Sequence, residues 1–249
     1  MTYKTAIFLA LLCATFVNAQ NTPPNFETVL ENIARNTRFP ADVTATVTLE
    51  QRDPQEGDET STVRMFRRDA DDTFLMLFER PVTQLGQGYL NIADGLWFYD
   101  PESRQFTYTS LEESFGGTDA RNSDFETSEL AEDYDVVSSE PGTLGNFEVW
   151  VLELEATSDE VTYPYRNIWV SKDPELILKS EDYSLTKRLL RTAYYPSYVK
   201  AGESYLADKQ LFVDALAQGK QTQVTLADIS TAKIPDNVFT KAYVERVNR

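Results

Sequence analysis

The sequence predicts a mainly β protein, a large curved sheet or barrel of about ten antiparallel strands with few helices. Three observations lead there. Apolar and polar residues alternate with period two from Asp42 onward, turn residues divide the alternating runs at short intervals, and segments with helical spacing are few and short.

Ahead of that pattern, Lys4 precedes an uncharged apolar stretch from Thr5 to Val17, and Val17-Asn18-Ala19 places small residues before a cut at Gln20. Residues 1–19 are therefore expected to be a cleaved secretory signal peptide, the apolar stretch being shorter than the roughly 20 residues that span a bilayer. A lipoprotein reading would acylate Cys13, but Leu12 stands where a small residue is needed. Residues 20–249 are expected to form one soluble domain, because no Gly/Ser-rich or Pro-rich linker separates halves. Cleavage removes Cys13, the sole cysteine, so the exported domain must rely on its core without a disulfide.

Within the domain, Phe26, Val29, Leu30, Ile33 and Ala34 recur at helical spacing and predict a short amphipathic helix. Val43, Ala45, Val47 and Leu49 then alternate with Thr44, Thr46, Thr48 and Glu50, a strand with one wet face. Strands follow at 62–68, 73–80, 87–93, 96–99 and 104–110. Asp94-Gly95 marks a hairpin, since a type I′ turn needs positive φ at both central positions. Phe74-Leu75-Met76-Leu77-Phe78 is apolar on both faces and must be covered on both, by helix or by cargo. Residues 111–135 break the rhythm with Gly116-Gly117 and many acids, predicting a long loop with a short helix near 127–132. Strands resume at 147–156, 163–171, 175–183, 188–195 and 221–229, and 235–244 reads as a closing helix.

Composition excludes several functions. There is no histidine, so no Ser-His-Asp or Cys-His unit and no His-based zinc or haem site can form. Forty acidic against 23 basic residues give a net charge of −17, which argues against nucleic acid and anionic membrane surfaces as partners. With 14 Phe, 13 Tyr and 3 Trp, a sizeable core is still available. Asp69, Asp71 and Asp72 lack the spacing of a calcium loop and read as a solvated turn. Glu112, Glu113, Asp119 and Asp124 read as a charged loop, the alternative being a carboxylate pair for glycoside hydrolysis. No helix follows Gly86 and Gly88, so close packing or a bulge explains them better than a nucleotide motif. Tyr194, Tyr195 and Tyr198 lie at a rim or cap an edge strand. No catalytic, cofactor-binding or metal-ligating residue is assigned.

The segment from Gly86 to Pro101, with Gly86-Gln87-Gly88-Tyr89 leading through Asp94-Gly95 to Trp97-Phe98-Tyr99-Asp100-Pro101, resembles the central hairpin of the outer-membrane lipoprotein-sorting family, the LolA/LolB-like proteins. Ser114-Phe115-Gly116-Gly117-Thr118-Asp119, then Ser123-Asp124-Phe125 and Glu129-Leu130, are similar to a Gly-Ser-Asp-Phe-Ser...Asp-Leu stretch of its broader branch. Ile168-Trp169-Val170, the 179–183 strand and Ile234-Pro235-Asp236 with Phe239-Thr240 look like the same branch, whereas Ala120-Arg121-Asn122 interrupts the Asp-Phe motif. The resemblance implies an incomplete antiparallel barrel of about ten or eleven strands, with short helices across its open side and an apolar cavity for acyl chains. It implies no cofactor, a periplasmic location, and as partners an inner-membrane exporter and an outer-membrane acceptor. Candidate cavity residues are Met65, Phe74, Met76, Phe78, Leu90, Ile92, Trp97, Tyr99, Phe106, Tyr108, Trp150, Leu152 and Trp169; for Trp97 and Tyr99, and for Phe74, Met76 and Phe78, the alternative is ordinary core. Arg64, Arg67 and Arg68 are candidates for the basic residue that ties the lid to the sheet. The function expected is a carrier of acyl chains belonging to lipoproteins or lipids; the alternative is a non-catalytic envelope module that uses the same sheet for docking.

Overall fold

The computed structural model describes residues 23–248 apart from 94, 128 and 160. The expected signal peptide, and Asp94 of the expected hairpin, lie outside the described residues. Strands β1 (Val43–Arg52), β2 (Glu59–Arg68), β3 (Thr73–Arg80), β4 (Gly88–Ile92), β5 (Gly95–Asp100) and β6 (Gln105–Tyr108) form one meander. A second comprises β7 (Tyr134–Leu144), β8 (Phe147–Ala156), β9 (Tyr165–Ser171), β10 (Ile177–Tyr183), β11 (Leu189–Ala201), β12 (Ser204–Asp214) and β13 (Gln221–Ser230). Antiparallel pairing of β1 with β13 joins them into one sheet, ordered β6-β5-β4-β3-β2-β1-β13-β12-β11-β10-β9-β8-β7. The edges β6 and β7 do not pair, so the barrel is incomplete as expected, but it has 13 strands among the described residues.

Two strands escape the sequence reading for identifiable reasons. β7 contains Pro141-Gly142, which suits only an edge, and β7 is an edge. In β12, Asp208-Lys209-Gln210 interrupts the apolar alternation because Gln210 is among its inward, buried residues.

The sheet is strongly curved. Adjacent strands lie about 4.8 Å apart, so β5 and β11, seven steps apart in the order, would be separated by roughly 34 Å if it were flat. Leu96 of β5 and Ala193 of β11 instead belong to one packed cluster with Phe115 and Phe125. These two rings come from the crossover, residues 109–133, which links one edge of the sheet to the other along the concave inner face.

Among the described residues, three α-helices complete the fold. Helix α1 (Phe26–Thr37) is capped by the Asn25 side chain, which accepts the Glu27 N–H. Its Val29, Leu30 and Ile33 pack on Leu152, Leu154, Ile168 and Val170 of the inner face. The loop helix is confined to α2 (Leu130–Asp133), four residues shifted toward the end of the expected range. After a 3₁₀ turn at Asp236–Val238, α3 (Lys241–Val247) lies on the outer face, where Ile234, Val238, Phe239 and Val244 cover Leu75, Leu90 and Tyr99. The doubly apolar strand β3 is thus explained: Phe74, Met76 and Phe78 face the crossover, and Leu75 and Leu77 face the C-terminal segment. Among the described residues no helix is long and apolar enough to cross a membrane.

Candidate functional site

The site is the crossover together with the cavity beside it. Phe115 stacks on Phe78 with ring centres 5.4 Å apart and also meets Tyr89 at 4.7 Å and Phe125 at 4.6 Å. Such close contact with the sheet needs glycine at the next position: Gly116 has φ +59°, and a Cβ there would stand 2.7 Å from the Phe78 ring. Polar ties hold the segment along its length. The Thr222 hydroxyl donates to Asp119 at 2.8 Å and accepts its backbone N–H at 3.0 Å, and Gln51 donates to the Gly117 carbonyl at 3.3 Å.

The strongest tie comes from a row of charges on the inner face. Strand register sets Arg166 of β9 and Arg191 of β11 directly on either side of Asp182 of β10. Arg166 Nε donates to Asp182 at 2.8 Å, and Arg191 Nη2 at 2.9 Å. Arg191 also grips Asp124 of the crossover through two bonds of 2.6 and 3.0 Å. Burial works against the charge of Arg191, but Asp124 and Asp182 outweigh it and hold the guanidinium well above its ordinary pKa.

Among the described residues, none of the three expected lid ties hydrogen-bonds the crossover. Arg64 lies on the outer face and pairs with Glu79 at 3.3 Å. Arg68 binds Asp42, Asp236 and the Ile234 carbonyl, pinning the C-terminal segment to the outer face. Arg67 faces inward but pairs with Asp69. The sequence carried a signal that was missed: an arginine sharing the inward face with Ala193 in an interior strand must have a buried partner.

A cavity of about 450 Å³ opens between α1, α2, the crossover and strands β9 to β12. Its sheet wall carries Arg67, Arg166 and Arg191 with Tyr195 and Tyr198, Tyr163 stands in the segment just before β9, and its crossover wall carries Asp124, Glu126, Glu129 and Asp133. None of the 13 expected cavity residues lines it. Met65, Phe74, Met76 and Phe78 are on the inner face but buried under Phe115 and Phe125, while Trp150 and Leu152 pack under α1. The other seven are on the outer face. Leu90 and Tyr99 are buried beneath the C-terminal segment, with Ile92 and Phe106 packed against it. The Lys241 ammonium sits 3.1 Å from the Trp97 ring centre and Lys179 3.9 Å from that of Trp169, and Tyr108 is 68% exposed. Alternation separated the two faces, but in β3 and β4 both are covered, so there polarity did not mark which was inner.

Other acids and tyrosines also differ from expectation. Asp69 is buried and accepts the Phe39 N–H at 2.7 Å, so it organises the turn from inside. Asp119 and Asp124 anchor the crossover, and the Glu113 carboxylate accepts the Thr109 hydroxyl. Strand β11 is interior, so Tyr195 and Tyr198 cap no edge. The close packing expected at Gly86 is present: a Cβ there would coincide with the Asn248 side chain.

Burial, with Glu129 and Asp72 nearby, pushes the Glu126 carboxyl up to about 7 from 4.5. The proton is retained on folding, so the stability of the neutral form is fully present below about pH 4.5 and is lost as pH rises through about 7. Glu126→Gln is expected to change little at pH 4 and to stabilise the protein by roughly 1–2 kcal/mol at pH 8, allowing for solvent screening at a partly exposed site. Urea melts at the two pH values measure this; equal effects at both would count against it.

A family model described only as "uncharacterized protein" matches residues 70–246. No curated protein sequence matches the chain. Among solved structures, the chain is similar to a domain named for outer membrane lipoprotein sorting from Vibrio parahaemolyticus, at 22% identity and a TM-score of 0.78, covering 88% of this chain and 98% of that one. A LolA superfamily protein from Nitrosomonas europaea matches at 23% identity and TM-score 0.73, over 87% and 98% of the two chains. A DUF1329 family protein from Desulfovibrio piger matches at 17% and 0.76, over 88% and 97%.

Proposed function

The chain belongs to the family matched over residues 70–246 and carries the LolA-superfamily fold, and from that premise we propose that it is a periplasmic carrier for the acyl chains of lipoproteins or lipids. The observation that carries the reading is that the concave apolar face is covered by the crossover, a segment outside the strands of the sheet. It fills the concave apolar face with two rings, Phe115 and Phe125, yet is tied down by polar contacts that can be remade with water. Lifting it uncovers Met65, Phe74, Met76 and Phe78, whose thioethers and rings adapt to chains of different shape. Each acyl methylene buried there contributes about 0.8 kcal/mol, offset by the ring contacts given up, so loading and release stay near balance. Such transfer breaks no covalent bond and needs no catalytic group. The expected signal peptide would deliver the carrier to the periplasm, between an inner-membrane exporter and an outer-membrane acceptor.

Native mass spectrometry of the purified protein is expected to show adducts with the masses of acyl lipids. Shortening both plug residues, Phe115→Ala with Phe125→Ala, should raise lipid occupancy several-fold by removing the internal competitor. An absence of lipid in both proteins, when each is offered detergent-solubilised lipid, would sink the carrier reading.

A further inference from the structure

The polar cavity beside the plug is built unlike an acyl tunnel, and its lining has unspent hydrogen-bonding capacity. Tyr163 is only 3% exposed and lines the cavity, yet its buried hydroxyl has no hydrogen-bond partner among the described residues. A hydroxyl so placed is costly unless something supplies an acceptor. Three guanidinium groups surround its ring: Arg191 at 5.1 Å, Arg121 at 5.3 Å and Arg166 at 5.8 Å from the centroid. Asp124 and Asp182 are the carboxylates hydrogen-bonded to Arg166 and Arg191, and the Arg121 guanidinium donates to the Glu112 carbonyl. Around the Tyr163 ring three guanidiniums thus meet two carboxylates, a local excess of one positive charge, although the cavity lining as a whole sets Arg67, Arg166 and Arg191 against Asp124, Glu126, Glu129 and Asp133.

From this we infer that the cavity receives the oxyanion head group, carboxylate or phosphate, of an acyl-bearing amphiphile, held by the Tyr163 hydroxyl and the Arg166 guanidinium. An oxyanion accepts from both at once and gains most from the charged donor. The cavity adjoins the plugged apolar face: Leu206 lines it and also belongs to the cluster around Phe115. A head seated at Tyr163 thus leads its chain toward the surface the crossover vacates. Glu126, Glu129 and Asp133 line the opposite wall, and burial raises the carboxyl pKa of each. The assignment of the tail rests on the carrier reading; the oxyanion site does not.

The test titrates the full-length protein with hexadecyl phosphate, hexadecanol and inorganic phosphate by calorimetry, in the original sequence and in Tyr163→Phe. The lost hydroxyl has no partner among the described residues, so the melting temperature should not fall. Hexadecyl phosphate is expected to bind at least tenfold more tightly than hexadecanol, and Tyr163→Phe to weaken it about tenfold while leaving hexadecanol unchanged. Equal affinity for the two amphiphiles, or no effect of Tyr163→Phe, overturns the head-group site and leaves the carrier standing. Inorganic phosphate bound through Tyr163 with neither amphiphile bound upholds the oxyanion site and overturns the carrier; no binding of any probe overturns both.

Discussion

Arg191→Gln is expected to destabilise the protein by about 3–5 kcal/mol, because it removes the one cation that neutralises two carboxylates from different parts of the chain. Asp182 is fully buried and would keep only Arg166; Asp124 would lose both of its guanidinium bonds. Denaturant melts measure the total. Asp124→Asn separates latch from core: Arg191 keeps Asp182, so the global loss should be smaller, while hydrogen exchange should rise selectively over residues 109–127. Uniform exchange in Asp124→Asn, or a loss below about 1 kcal/mol in Arg191→Gln, would show that the Arg191–Asp124 pair does not hold the crossover.

Met76→Lys is the second large effect. Met76 is fully buried, and register places it in a row with Met65 and Tyr89 beneath the crossover. An ammonium there has no carboxylate to meet, and the expected cost exceeds about 4 kcal/mol, enough to unfold a domain of ordinary stability. Met76→Leu conserves volume and should cost less than about 1.5 kcal/mol. Circular dichroism and thermal melts distinguish the outcomes. A folded Met76→Lys protein would mean that the inner face is already open to water, with the crossover displaced.

Much of the sheet was legible from local signals. The alternation Val43, Ala45, Val47, Leu49 is strand β1 with all four residues inward, and the five-residue apolar run in β3 is covered on both sides as its composition demanded. The helical spacing from Phe26 became α1, and its inward residues are the apolar ones. Elements with mixed signals were harder to read. Pro141-Gly142 concealed an edge strand, and the polar residues of β12 concealed an interior one.

The cavity and its latch were not legible, and the reason lies in sequence distance. Arg166, Asp182 and Arg191 occupy three separate strands, and Asp124 a fourth segment; only strand order and register make them neighbours. Trp97 and Tyr99 show the same limit from the other side. Their shared face was correctly paired by period two, but the C-terminal segment, more than a hundred residues later, decided that this face is the outer one.

By itself, then, the sequence determined what can be expressed over a few residues: where strands run, which side chains share a face, and that no imidazole chemistry is possible. Tertiary structure alone decided which face is concave, what fills it, and where positive charge collects. Alternation is symmetric between the two sides of a strand, and the symmetry is broken only when distant segments choose the side they cover.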